Sequence, residues 1–329
     1  MLNFLVRRVL YMIPTVFMIS IVSFGLIQLP PGNYATALAA QMAANGETLQ
    51  QAQIQALEAR YGLNEPFLVQ YGKWLVGVLH GNLGQSFIYN TSVSSLIADR
   101  LPMTIVLAVA TLAMTWAISF YVGIVSATKQ YSIRDYVLST LAFLGLATPN
   151  FLIALVLMYL GSKYLGMSVG GLFSPEWVDA PWKLGKWVDL LSHLWVPVLV
   201  IGAAHTAGLF RIFRANLLDE LHKPYVVAGR ARGVSERTLL MKYPVRVALN
   251  PFISTIGWTI PAVITGDIIV GQVLSLRTTG PLLLEALLAQ DVYLAGAIIL
   301  IVSILTVIGT LISDVVLAWF DPRVRLRSI

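Results

Sequence analysis

The chain has no cysteine among its 329 residues. Disulfides, thiolate metal sites and cysteine nucleophiles are therefore excluded, and the redox compartment cannot be read. Charge is also scarce: 12% of residues are Asp, Glu, Lys or Arg, against 57% hydrophobic, with a mean hydropathy of +0.77. Soluble domains carry about 25% charged residues, so a water-soluble fold is excluded. Catalytic signatures are missing too. No GxxxxGK[ST] run offers a phosphate cradle, and no HExxH pair offers a zinc site. The four histidines (His80, His193, His205, His222) are scattered. The net charge of +6 does not point to nucleic acid, because the basic residues sit beside apolar runs, where they orient a membrane protein.

What the chain has in abundance is apolar length. A spanning helix needs about 20 apolar residues, and six runs qualify: 9–29, 103–127, 136–165, 190–210, 252–274 and 292–320. The third and sixth are long enough to tilt, and the fourth carries His193 and His205. The expected fold is all-α, a polytopic membrane protein with six transmembrane helices. Arg7 and Arg8 before the first run, and Ala37-Leu38-Ala39 after it, resemble a signal peptide. The run exceeds the usual h-region, however, and Pro30-Pro31-Gly32 breaks the chain before the small residues.

Basic residues set the orientation. Arg7, Arg8, Lys129, Arg134, eight residues within 211–251, and Arg323, Arg325 and Arg327 fall on one side, fifteen of the 22. The other side holds Arg60, Lys73, Arg100, Lys163, Lys183, Lys186 and Arg277, spread over longer loops. The richer side is expected to be cytoplasmic, with both termini there. Residues 31–102 then form a large external segment between an N-terminal helix (1–30) and a core (103–320), with a tail at 321–329. In that segment Thr48 can cap a helix over 50–61 that Gly62 ends, and Pro66 can open Phe67–Leu79. The latter's apolar stripe is Phe67, Leu68, Tyr71, Trp74, Leu75 and Leu79. Loops 166–189 and 275–291 are also expected outside, where Trp177, Trp182 and Trp187 suit an interfacial belt.

Two acids lie deep in apolar runs, Asp267 and Asp314. An intramembrane carboxylate is costly and marks function by default. Asp314 is near the inner boundary, within reach of headgroups or Arg323. Asp267 is the better pathway candidate, together with Thr255, Thr259 and Thr265 in the same run. An ion-gradient-driven secondary carrier using Asp267 is thus an alternative reading, although a lone Asp makes no relay and no internal repeat is visible. A membrane-embedded enzyme would need a convergent set of reactive groups.

The basic loop 211–251 carries most local signals. Pro224 suits the first turn of a short helix over 225–232. Gly233 can end that helix with a left-handed residue, and Ser235 can cap a second one. Pro244 should interrupt the second, and Asn250-Pro251 should mark a further break. Ala228, Gly229 and Ala231 permit close approach by a neighbour, and Arg230 and Arg232 can meet acidic groups. An amphipathic helix lying on the inner leaflet is the plainer reading of the same residues.

The run YVVAGRARGVSERTLL, followed by a basic helix and Asn-Pro, resembles the EAA loop of ABC importer permeases of the oligopeptide/dipeptide/nickel class, where the pattern runs YVxTARAKGLSE. The EAA positions fall on Val227, Ala228 and Gly229, and the loop glycine on Gly233. RRVLYMIPT, YGLNEPFLVQYGKWLVGVLHGNLGQSF, RLPMT, LATPNFLIAL and WFDPRVRL resemble further segments of that family, in order along nearly the whole chain. The chain departs from it at LPPGNYA, where PGDP is usual, at LSLRTTG, where an IPGLG-like turn is common, and in a longer 35–58 segment. All three lie on the expected external side and put the substrate in question, since related permeases with long external segments import oligosaccharides.

The resemblance implies a type I importer permease in the bacterial inner membrane, half of a pore completed by a homologous and usually different permease. Two cytoplasmic ATPase subunits would supply ATP and Mg chemistry, the chain itself holding no cofactor, and an external binding protein would deliver the solute. Tyr225, Val227, Ala228, Gly229, Arg230, Arg232, Gly233, Ser235 and Glu236 would then form the ATPase-coupling site.

Overall fold

The computed structural model describes the backbone of residues 2–28, 32–46, 50–166 and 169–320, and side chains there except at 2–5, 165, 251, 256, 258–260 and 263–267. Thr48, the 321–329 tail and its Arg323 fall outside that description. Among the described residues the regular structure is helical, apart from an isolated antiparallel bridge between Gln85 and Ser92. In order the helices are α1 (Leu2–Gln28), α2 (Tyr34–Ala44), α3 (Gln51–Tyr61), α4 (Phe67–Leu79), α5 (Val93–Thr128), α6 (Ile133–Ala147) and α7 (Asn150–Leu165). Then follow α8 (Leu184–Leu221), α9 (Pro224–Ala231), α10 (Glu236–Lys242), α11 (Pro244–Ser254), α12 (Ile256–Val273), α13 (Thr279–Leu288) and α14 (Val292–Phe320).

Four helices are long and apolar enough to cross a membrane: Val6–Gln28 within α1, then α5, α8 and α14. The expected third span is instead two helices, α6 and α7, bent by 102°. Proline is the cause. Pro149 has no N–H to continue the ladder, and it pushes Thr148 into the extended region at φ −91°, ψ 125°. The expected fifth run is shared between α11 and α12, which part at Thr255. The expected break at Asn250-Pro251 does not occur, for α11 stays helical to Ser254. Val245, Ala248 and Phe252 lie at helical spacing and are buried with Leu209, Phe213 and Leu217 of α8, and this packing outweighs one lost backbone bond.

Contacts divide the chain into two units, with the division falling inside α5 and α14. The first unit holds Ile105–Arg277 and the later part of α14. Its centre is the Ala127, Leu209, Phe213, Phe252 cluster, and Gly123 lets Phe213 approach α5 where a Cβ would stand 2.5 Å from its ring. The 169–183 loop is closed by Lys186, 5% exposed, whose Nζ donates to Val178 O at 3.0 Å and Ala180 O at 2.7 Å beneath the rings of Phe173 and Trp182. Trp182 and Trp187 stay half exposed, as a belt position requires, whereas Trp177 packs against Gly185.

The second unit comprises Val6–Thr104 and Thr278–Leu305. α3 ends at Gly62 (φ +66°) as expected, and α4 has the expected bounds. The stripe on α4 is shifted: Tyr71 and Trp74 are buried against Phe24 and Leu300, while Leu68 and Leu79 are 75% and 76% exposed. Ser20 Oγ and Tyr71 Oη, 2.8 Å apart, pin α1 to α4. α2 has no counterpart among the expected helices. Asn33 and Thr36 form its capping box, and Asn33 Nδ2 donates to Glu58 Oε1 of α3 at 2.8 Å. The expected 275–291 loop is mostly α13, whose Leu282 and Ala286 join Val93, Ile97 and Leu294 in the core. Asp291, fully buried, accepts from Ser86 Oγ (2.6 Å), Phe87 N (2.7 Å), Ile88 N (3.3 Å) and Leu294 N (3.1 Å), tying the 86–88 turn to the first turn of α14.

Candidate functional site

α8 is 38 residues long, about 57 Å at 1.5 Å per residue. It takes Arg211 and Arg214 out of the expected loop, so the loop proper begins after Leu221. His222 and Lys223 turn the chain, and Pro224 opens α9 at a position where no N–H is needed. α9 ends in a Schellman motif: Gly233 N donates to Arg230 O at 2.9 Å and Val234 N to Gly229 O at 3.2 Å, with Gly233 at φ +76°. The expected Gly turn is therefore present, and nothing lies within 4 Å of where a Gly233 side chain would begin.

The site residues separate into two faces. Val226 and Leu239 are 1% exposed, and Leu239 packs against Gly229, joining α10 to α9. Gly229 faces inward, because Leu239 Cδ1 sits 2.5 Å from where its Cβ would be. Of the expected small-residue surface, then, Ala228 and Ala231 point outward and Gly229 serves internal packing. Tyr225, Val227, Ala228, Ala231 and Arg232 form the exposed face.

Charges follow the same division. Arg230 meets Glu236 in a forked contact, Nε to Oε1 at 2.8 Å and Nη2 to Oε2 at 3.3 Å, so this pair closes the α9–α10 turn on itself. Arg232 has no such partner among the described residues. Tyr225 Oη donates to Glu220 Oε2 at 2.5 Å, and burial with this bond raises the phenol pKa and keeps its proton in place. Ser235 stands at the N-cap of α10 as expected, but its hydroxyl donates to Thr238 Oγ1 at 2.9 Å instead of capping the backbone.

Behind the loop lies a buried ion pair that sequence reasoning missed. Asp135, 3% exposed, accepts from Arg214 Nε at 3.0 Å and Nη2 at 2.7 Å, from Ser126 Oγ, and from Tyr131 N at 3.0 Å. Arg214 Nε also reaches Ser126 Oγ at 2.8 Å. The cluster joins the end of α5, the start of α6 and α8 two turns before its end. An Asp immediately before one apolar run and an Arg four residues after another gave a signal, but only the fold pairs them. Among the pathway candidates, Thr255 is buried and donates to Phe252 O at 2.7 Å. Thr259, Thr265 and Asp267 fall on α12, with side chains outside the described residues.

This helical arrangement can be compared with known proteins. Residues 119–326 match the family described as the binding-protein-dependent transport system inner membrane component, and residues 1–108 match its N-terminal companion. The oligopeptide transport system permease protein AppB of Bacillus subtilis is 34% identical, with 99% of this chain and 100% of the relative covered. A putative peptide permease protein of Brucella ovis is 34% identical and the oligopeptide transport system permease protein OppB of Haemophilus influenzae 31%, each over 99% of this chain and all of the relative. A multi-pass helical protein whose whole length aligns with such permeases belongs to the binding-protein-dependent transport system inner membrane components, the permease subunits of ABC importers.

Proposed function

We propose that this chain is the permease subunit of an ATP-driven bacterial importer for oligopeptide-class solutes, and that α9 is its coupling helix. The reading is carried by one observation: a short helix with Val226 buried and Gly233 at its end presents Val227, Ala228, Ala231 and Arg232 outward, Arg232 having no side-chain partner among the described residues, beside a Tyr225 held by Glu220. Small and apolar positions flanked by a cation suit a groove on an ATPase. Closure of two ATPases on ATP would carry α9 as a rigid body, and α8, separated from it by only His222 and Lys223, would carry that movement along its length. The relatives are named as oligopeptide permeases, which favours peptides over oligosaccharides as cargo.

The assembly so envisaged has a second, homologous permease, two ATPases and an external binding protein, with six spans and both termini inside. Capture of the tagged chain from gently solubilised membranes, with mass spectrometry of what accompanies it, tests the proposal. Two ATPases and a second permease are expected. A chain recovered alone overturns the coupling role of α9 and returns attention to Asp267.

A further inference from the structure

α6 and α8 enclose a groove of about 270 Å³ whose chemistry is divided end to end. Its floor is buried, with Ala207 5% and Phe210 4% exposed, and its rim carries Phe143 and Leu146, 56% and 44% exposed. At one end stand Arg211 and the Arg214–Asp135 pair, with Tyr131 and Tyr136 beside them. Arg214 is neutralised by Asp135, so the uncompensated charge there is Arg211. Neither the Arg211 guanidinium nor the Tyr131 and Tyr136 hydroxyls have a partner among the described residues. Tyr131 is also held at φ +63°, a conformation disfavoured for a tyrosine, with its N–H bound to Asp135 Oδ2. Backbone strain of this kind collects where a side chain must be aimed.

We propose that this groove binds one anionic phospholipid of the inner leaflet. Its phosphate sits against Arg211 and the tyrosine hydroxyls, and an acyl chain lies along Phe143, Leu146 and Phe210. A soluble ligand is disfavoured by the surroundings: Val137, Leu141 and Leu144 on α6 are each at least half exposed, a face that belongs in hydrocarbon. A neighbouring helix would fill the apolar part and leave Arg211 without an anion. An amphiphile with one anionic head and a long apolar body satisfies both ends, and basic pockets between helices on the cytoplasmic side suit such headgroups. The leaflet assignment rests on the orientation given by the basic loops; the chemistry of the groove does not.

The test uses the full chain in phosphatidylcholine nanodiscs doped with phosphatidylglycerol, with bound phosphatidylglycerol counted by native mass spectrometry. Arg211→Gln is expected to retain about fivefold less, the worth of one cation near an anionic surface. Ala142→Trp, which fills the groove without touching charge, should lose it as well, and Arg237→Gln at an exposed position of α10 should match the parent. Equal retention by folded Arg211→Gln and parent, with the same melting temperature, overturns the proposal. So does a photocrosslinker at Phe143 that captures polypeptide instead of lipid. Arg237→Cys, unique in a chain without cysteine, reports orientation separately: labelling from the cytoplasmic side is expected, and labelling only from outside overturns the inner-leaflet assignment.

Discussion

A single backbone angle decides the geometry of the α9–α10 turn. At Gly233 the left-handed conformation is compulsory and the space around it is open, so substitution acts through φ alone. Gly233→Val is expected to cost about 1–2 kcal/mol and to abolish solute-stimulated ATP hydrolysis while membrane insertion persists; Gly233→Asn, which tolerates φ > 0, should keep most coupling. Undiminished stimulation in the valine variant would remove the turn from the mechanism. Gly229 fails for a different reason. A Cβ there meets Leu239, and overpacking costs about 1–3 kcal/mol. Gly229→Ala should therefore be relieved by Leu239→Ala in a double-mutant cycle on melting temperature, whereas Gly233→Val should not. The Gly233 turn was legible in the sequence; that Gly229 makes room for Leu239 of its own chain is a matter of packing and was not.

Elements were legible where local chemistry and tertiary packing agree. Pro66 opening α4, Gly62 closing α3 and Pro224 opening α9 each fix a boundary through backbone geometry alone. Elements went unread where distant partners decide. α2 is mostly alanine, with only Tyr34, Leu38 and Met42 as a short apolar stripe to announce it, and Asn33 ties it to Glu58 of α3. α13 looked like a loop because its apolar face is too short to span. Asp135 and Arg214, 79 positions apart, illustrate the same limit. Removing one partner of a buried pair strands the other, at about 3–5 kcal/mol when burial is complete; with Arg214 a quarter exposed, about 2–3 kcal/mol is expected for Asp135→Asn. Arg214→Gln with Asp135→Asn should cost less than the sum. Additive losses would mean that the two side chains act apart. In the second unit, Asp291→Ala orphans three backbone N–H groups and should destabilise by about 2–4 kcal/mol, read as early loss of protease resistance in 31–102.

For the molecule as a whole, apolar run length marked helices long enough to cross a membrane because hydrocarbon admits few structures; α1 and α14 keep close to their runs, whereas α5 and α8 extend well beyond theirs. Helix continuity was less legible. One proline split the third run into two helices, while another left α11 intact because α8 packs beneath it. Asp267→Asn in the assembled importer is expected to leave ATP-driven uptake within a few-fold of the parent. A complete loss with coupling intact would instead place a proton or cation step in the pathway.

The bend between α6 and α7 bears on where lipid can reach. A helix end leaves its first N–H and last C=O groups outside the ladder, and here two such ends meet at Thr148 and the exposed Pro149. In hydrocarbon each unmet group costs several kcal/mol. An acyl chain lying along Phe143 and Leu146 must therefore stop short of Thr148 and Pro149, and the belt of lipid is interrupted at that point by water or by another polypeptide. A nitroxide at Thr148 should be relaxed by an aqueous nickel complex and shielded from membrane oxygen, marking a gap in the annulus before any partner has been seen.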